Sequence, residues 1–255
     1  MANHLSNSVK NRSRLDAFIV EKGFVKSRQR AKAIIMAGKV LVNNSPVDKP
    51  GTLIKNSAKI IVKKDDNPFV SRGGLKLEKA LKSIPLSVKN LTCLDIGAST
   101  GGFTDCLLQN GAAKIYAVDV GYGQFDWTLR QNPRVVVIER TNIRHMPYEK
   151  INQKMDVIVA DTSFISLKIV IPSAEKFMRY NTEVLALIKP QFEAGKNNVG
   201  KGGVVKDLKI IEQVIYDLKC FFKEQGYLVN QVIPSPILGP KGNQEYIIFL
   251  NYQKK

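Results

Sequence analysis

From Thr92 onward, short apolar runs alternate with intervals long enough to hold a helix, and this alternation limits the fold more than any other feature. The runs are Thr92–Ile96, Ile115–Val118, Val135–Ile138, Val157–Ala160, Val184–Ile188, Tyr227–Ile233 and Tyr246–Leu250. Continuous apolar strands need both sheet faces covered, so the pattern predicts an α/β fold around a seven-stranded, mostly parallel sheet. The last two runs lie close together and predict an antiparallel pair at the sheet's end. Ahead of the first run, Leu77, Ala80, Leu81 and Ile84 recur at i, i+3, i+4 and i+7. They predict a helix that stops at Pro85.

The first 64 residues follow a different pattern. Leu15, Phe18 and Ile19 have helical spacing and end at Gly23; Ser27 can cap a second helix with the stripe Ala31, Ile34 and Ile35, ending at Gly38. Val40-Leu41-Val42, Asn43-Asn44 and Ser45-Pro46-Val47 predict a hairpin, and Lys59–Val62 a further strand. The expected organisation is a disordered polar tail over 1–11, a small α+β domain over 12–64, a linker over 65–71 and the large α/β domain over 72–255. Lys63 to Pro68 breaks both periodicities, which places the linker.

Charge is concentrated in the small domain. Residues 1–64 hold 14 Lys or Arg against 3 acidic residues, a net +11 of the chain's +17. So basic a segment points to a polyanion, most often nucleic acid. Arg28 and Lys32 stand one turn apart beside the apolar stripe, with Arg30 and Lys39 nearby. That face can neutralise phosphates while the stripe packs inward, although a merely solvated helix surface has the same look. The segment RLDAFIVEKGFVKSRQRAKAIIMAGKVLVNN resembles the RNA-binding domain first recognised in ribosomal protein S-four, over roughly residues 12–62. The resemblance implies recognition of RNA backbone and shape. Together with the charge placement, it makes Arg14, Arg28, Arg30, Lys32 and Lys39 the expected RNA contacts.

Several classes are excluded. Cys93, Cys106 and Cys220 are scattered, and with only His4 and His145 beside them no metal site is expected. They suit the reduced thiols of a cytoplasmic protein. No apolar run reaches the ~18 residues of a spanning helix, the start lacks a signal-peptide core, and no helix is strongly lytic in character, so a membrane-active protein is not expected.

The first run of the large domain leads into Asp95-Ile96-Gly97-Ala98-Ser99-Thr100-Gly101-Gly102-Phe103. Glycines at the mouth of a first βα unit let a ligand approach the backbone. The spacing after Gly97 is wrong for the G-x-G-x-x-G of a dinucleotide site. A carboxylate two places earlier, Asp95, suits a cationic aminoacid-bearing ligand. Asp119 ends the second run, where a carboxylate can accept ribose hydroxyls. D-x-G-x-S-T-G-G-F with Asp119 resembles the S-adenosylmethionine site of Rossmann-like methyltransferases. That resemblance assigns Asp95, Gly97, Ser99, Thr100, Gly101, Gly102, Phe103 and Asp119 to the cofactor. Asn142, after the third run, is either an adenine contact or a turn residue.

The methylated atom is narrowed by exclusion. Amino-group methyltransferases place N/D-P-P-Y after the fourth strand, where this chain has Asp161-Thr162-Ser163-Phe164. Methylation of a cytosine carbon needs a nucleophilic Cys, and none stands at a suitable strand end. A sugar hydroxyl remains; it needs in-line positioning and a base. A lysine can be that base only if it loses its proton more readily than at its usual ~10.4. A neighbouring cation and burial help, and a carboxylate orients the amine. Lys76 on the first helix, Asp161 and Lys189 at strand ends, and Glu245 before the last strand form such a set. Each alone has an ordinary surface explanation.

SRGGLKLEKAL, ADTSFISL, LIKPQFEAG, VGKGGVVKD and GPKGNQEY together resemble the TlyA group, also labelled hemolysin A and related to FtsJ-type ribose methyltransferases. The resemblance spans essentially the whole chain and implies a Lys-Asp-Lys-Glu tetrad at Lys76, Asp161, Lys189 and Glu245. Lys189 would activate the hydroxyl, Asp161 and Glu245 would orient, and Lys76 would ease deprotonation. The implied substrate is a ribosomal RNA cytidine, in the large subunit and sometimes the small, with ribosomal RNA or subunits as partner. A non-catalytic RNA-binding or assembly factor is the rival, opposed by the complete tetrad. The basic, glycine-rich stretch 194–203 is either a loop that closes on RNA or a passive one.

Overall fold

The computed structural model describes residues 11–25, 27–36, 38–62, 67–239 and 241–254. The expected tail up to residue 10 and linker residues 65 and 66 lie outside the described residues. The chain divides into two compact units, 1–66 and 67–255.

The first unit contains β1 (Arg12–Arg14), α1 (Leu15–Glu21), α2 (Arg28–Met36), β2 (Val40–Val42), β3 (Ser45–Pro46), β4 (Leu53–Lys55) and β5 (Ile60–Val62). Leu15, Phe18 and Ile19 of α1 pack with Ala31, Ile34 and Ile35 of α2, and with Val40 and Ile54. Ser27 Oγ accepts from the Arg30 N–H at 3.2 Å, capping α2. Asn43 and Asn44, at φ 50° and 67°, make the two-residue turn that joins β2 to β3. β5 pairs with the other edge of β2. The β1–β4 pair was not expected: three residues a side, rich in Arg and Lys, give no readable alternation.

The second unit opens with α3 (Gly73–Ser83), β6 (Thr92–Ile96), α4 (Gly102–Gln109), β7 (Lys114–Val118), α5 (Trp127–Arg130) and β8 (Val135–Ile138). It continues with β9 (Met155–Ala160), α6 (Leu167–Ser173), β10 (Met178–Ile188), α7 (Pro190–Glu193), α8 (Leu208–Glu224), β11 (Tyr227–Pro234) and β12 (Tyr246–Tyr252). All seven expected strands form one sheet in the order β11-β12-β10-β9-β6-β7-β8, with β12 antiparallel to both neighbours. β10 begins six residues before the apolar run. Its polar start is held by Thr182, whose Oγ accepts from the Arg179 N–H and donates to the Met155 carbonyl.

One core lies on each face of the sheet. α3 and α4 cover one with Leu77, Ala80, Phe103 and Leu107, and α6 and α8 cover the other with Val170, Ile171, Leu218 and Phe222. Residues 67–71 pack onto this unit: Phe69 is buried, and the Val70 N–H donates to Asp105 Oδ2 at 2.8 Å. The chain moves outward from β6 to β7 and β8, then returns to β9 on the other side. Open α/β sheets bind ligands at such a reversal, beyond the carboxyl ends of the strands.

Candidate active site

After β6 the chain passes Gly97 against the end of β9. A Cβ at Gly97 would lie 2.7 Å from the Asp161 carbonyl oxygen, and φ is +82°, so only glycine fits. Gly102 opens α4, where a Cβ would meet Ser71 Oγ at 2.2 Å, so the starts of α3 and α4 close on each other through bare backbone. These approaches bring SRGG, D-x-G-x-S-T-G-G-F and Asp161 into one place.

A cavity of 790 Å³ lies beyond β6, β7 and β9, lined among others by Gly97, Ser99, Asp119, Gly121, Asn142 and Phe164. Asp119 clasps both flanking loops: Oδ2 accepts from the Ser99 N–H at 2.7 Å and Oδ1 from the Gly121 N–H at 2.6 Å. Asn142 Oδ1 accepts from the Arg144 N–H at 3.1 Å, so it is a turn residue that also borders the cavity. Thr100, Gly102 and Phe103 line an adjoining cleft of 280 Å³, which shares Gly97, Ser99, Asp161 and Ser163 with the larger cavity. Gly101, packed toward Leu129, and Asp95 line neither space. Asp95 is fully buried, accepts from Thr104 Oγ1 at 2.7 Å, and keeps Oδ1 without a hydrogen-bond partner among the described residues. Burial, opposed by the Thr104 hydrogen bond, pushes its carboxyl up to about 7.

The four tetrad positions meet on one side of this space. Lys76 Nζ lies 2.6 Å from Glu245 Oε2 and 3.9 Å from Asp161 Oδ2, and Lys189 Nζ lies 2.6 Å from Asp161 Oδ1. Carboxylate and amine therefore alternate from Glu245 through Lys76 and Asp161 to Lys189. The topology explains the meeting. Asp161 and Lys189 follow the carboxyl ends of the parallel strands β9 and β10. Antiparallel β12 starts at that same edge, with Tyr246 opposite Ile188, so Glu245 arrives beside Lys189. A second cavity of 560 Å³ takes in Lys76, Asp161, Lys189, Glu245, Phe164 and Phe192. Lys76, Asp161 and Lys189 also line the 280 Å³ cleft, so the tetrad stands between that cleft and this cavity, and Asp161 borders the 790 Å³ cavity as well.

Some residues of the site were not visible in sequence. Lys189 also donates to Ser163 Oγ at 2.9 Å. Phe164 is 89% exposed at φ 65°, its ring 4.9 Å from that of Phe192. The only signal for either was their place two and three positions after Asp161, within ADTSFISL. The stretch 194–203 is anchored at its far end by buried Asn243, whose amide donates to the Gly203 carbonyl and accepts from the Val205 N–H. Cys93 and Cys106 are buried, which pushes both thiols up to about 12 and leaves them protonated.

In the first unit, Asp16 is fully buried. It accepts from Arg14 Nε and Nη2 at 3.1 and 3.2 Å and from Arg28 Nη2 at 3.1 Å. The Arg14 hydrogen bond, with that of Arg28, holds its carboxyl near 2. Two of the five expected RNA contacts therefore also hold this unit together. Lys32 is exposed on α2, and Arg30 and Lys39 are half-buried. Sequence reasoning took R-L-D as a family mark and missed its ion pair.

A doubly wound sheet with a glycine turn after its first strand, an acidic residue after the second and a lysine–carboxylate array over the cleft defines a Rossmann-like methyltransferase. The FtsJ-like methyltransferase family model matches residues 69–252, and the S4 domain model matches residues 13–60. The 16S/23S rRNA (cytidine-2′-O)-methyltransferase TlyA of Mycobacterium tuberculosis is 44% identical over 243 residues, 95% of this chain and 91% of that protein. The 23S rRNA (cytidine-2′-O)-methyltransferase TlyA of Campylobacter jejuni is 35% identical, over 91% of this chain and 97% of that one. A solved Streptococcus thermophilus protein that bears the hemolysin label is 40% identical with a TM-score of 0.75, covering 96% of this chain and 90% of its own. The chain belongs to the TlyA (hemolysin A) family of FtsJ-like methyltransferases with an S4 domain. Among the described residues no helix is long and apolar enough to cross a membrane.

Proposed function

We propose that this protein transfers the methyl group of S-adenosylmethionine to the ribose 2′-hydroxyl of a cytidine in ribosomal RNA. The observation that carries the proposal is the Glu245–Lys76–Asp161–Lys189 array between the 280 Å³ cleft and the 560 Å³ cavity. The substrate class follows the names of the TlyA relatives in Mycobacterium tuberculosis and Campylobacter jejuni.

The residues present fit the methyl donor. The 790 Å³ cavity would hold the adenosyl group, with the backbone at Gly97 and Ser99 beside it, Asp119 to accept from the ribose hydroxyls and Asn142 to meet the base. The adjoining cleft beside Thr100, Gly102 and Phe103 leads from there to Lys189. When bound, S-adenosylmethionine supplies an electrophilic methyl group on a sulfonium. The protein's task is to aim a hydroxyl at it in line and take one proton. Lys189 in its neutral form takes that proton. Asp161 orients Lys189, Lys76 places a second cation close by, and Glu245 fixes Lys76. The basic first unit, residues 12–64, holds RNA through its backbone, and catalysis resides in residues 72–255. Such a protein acts where ribosomal subunits are assembled, in the cytoplasm.

The test is to incubate the purified full-length protein with ribosomal subunits and S-adenosylmethionine labelled in the methyl group, then digest the RNA and identify the labelled nucleoside by mass spectrometry. Label on a cytidine ribose is the expected result. Label on a base, or none on either subunit, sinks the proposal.

A further inference from the structure

We propose that Ser163 is a positioning residue for the proton transfer: it accepts one N–H of the Lys189 amine and so aims the lone pair at the acceptor hydroxyl. This rests on Lys189 being the base.

A neutral amine has two N–H bonds and one lone pair, arranged tetrahedrally with the carbon. Asp161 Oδ1, 2.6 Å away, is ion-paired with the nitrogen but lies outside hydrogen-bond geometry, so it draws the N–H side of the amine toward it by charge without fixing its rotation. With that contact alone, rotation about the Cε–Nζ bond exchanges the N–H bonds and the lone pair. Ser163 Oγ, 2.9 Å from the same nitrogen, takes one N–H in a directional hydrogen bond, and the charge of Asp161 favours the other N–H on its own side. The lone pair is then left facing the cavity that Lys189 shares with Ser163, Phe164 and Glu245. In the step so aligned, the O–H bond of the ribose breaks as an N–H bond forms on Lys189. The O–CH3 bond forms as the S–CH3 bond breaks, its electron pair passing to sulfur, and the ammonium later releases its proton to water.

Ser163 is itself held in place. Phe164, at φ 65°, turns the chain directly after it. Three residues on, Ser166 Oγ donates to Glu193 Oε2 at 2.6 Å and the Leu167 N–H to Oε1 at 2.8 Å. Glu193 closes α7, which starts directly after Lys189. One carboxylate thus clasps the loop bearing Ser163 to the segment bearing Lys189. A serine serving only to fill that loop has no need of an oxygen on the amine.

The test measures kcat, KM for ribosomal subunits, cofactor Kd and Tm for Ser163→Ala, Ser163→Thr and Lys189→Ala in the full-length protein. Ser163→Ala is expected to lose about 30-fold in kcat, a misaligned base being that costly, while KM and Kd stay within about threefold. Ser163→Thr, which keeps the oxygen, should recover most of the rate. An unchanged kcat in Ser163→Ala alongside an inactive Lys189→Ala overturns the role of Ser163 alone. So does a loss explained by weaker cofactor binding, or a threonine variant as slow as the alanine one. A Lys189→Ala protein near wild-type rate overturns instead the assignment of the base.

Discussion

Nζ of Lys76 donates to Glu245 Oε2 at 2.6 Å, across 169 positions of sequence, and both side chains are almost wholly withdrawn from solvent. Gly239 backs the carboxylate so closely that a Cβ there would lie 2.4 Å from Glu245 Oε1. A buried pair of this kind tolerates loss of its partners unequally. Lys76→Met leaves Glu245 charged and uncompensated, and should cost on the order of 3 kcal/mol of stability as well as activity. Glu245→Gln keeps an acceptor for Lys76 and removes the charge. It should fold with a Tm close to wild type yet lose about 100-fold in methyl transfer. Thermal unfolding and turnover measured together on the two variants check the contrast, and equal stability losses would count against it.

Most of the fold could be read from sequence because the sheet is buried on both faces. Strands such as Val135–Ile138 and Val157–Ala160 then stand out as unbroken apolar runs. What stayed hidden rests on contacts without periodicity. β1 and β4 are three residues long, and the polar start of β10 depends on Thr182 bridging Met155 and Arg179. The tetrad positions were named through family motifs, and the strand order is what brings them together. Ser163 and Phe164 were invisible as site residues, since nothing in the spacing of a serine or a phenylalanine records that it faces an amine or solvent.

Lys189→Ala should reduce methyl transfer at least about 1000-fold, since the proposed general base is removed outright. The cavity proposed for the cofactor is lined mainly by the loops after β6, β7 and β9, so cofactor Kd should stay within about threefold. Calorimetric binding beside single-turnover methylation checks this. A variant that binds no cofactor would move Lys189 from the chemistry to the binding site.

Arg28 and Lys32 look equivalent on α2, but the pairing of Arg28 with buried Asp16 separates them. Lys32→Glu should weaken RNA binding and reduce the slope of log K against log salt by about one or more, with cofactor binding untouched. Arg28→Glu places a second carboxylate against Asp16 and should destabilise the first unit before any RNA is added. Filter binding over a salt series, with limited proteolysis of the free protein, distinguishes the two. An unchanged salt slope for Lys32→Glu would remove this face of α2 from RNA recognition.

Asp95 ends its side chain on Thr104 of α4, just across the Gly97–Gly102 turn, and its titration makes that buried role testable. Its carboxyl rises from the ordinary 3.8 to about 7 because burial penalises the charge. The folded state therefore holds this proton more tightly than the unfolded chain. The group's contribution is most favourable below pH 4, falls as the unfolded chain ionises, and levels off once pH passes about 7, where both states are charged. Asp95→Asn still offers Thr104 an acceptor oxygen and carries no charge. Its stability relative to wild type should rise steadily from pH 5 to pH 7 and then stay flat, gaining on the order of 2 kcal/mol, or several degrees in Tm. Because Asp95 lines neither cavity, cofactor Kd at pH 8 should change by no more than about threefold; a charged contact to the ligand's ammonium would cost tenfold or more. Tm curves that run parallel across this pH range would refute the buried-carboxyl account. A tenfold loss of affinity would return Asp95 to the ligand.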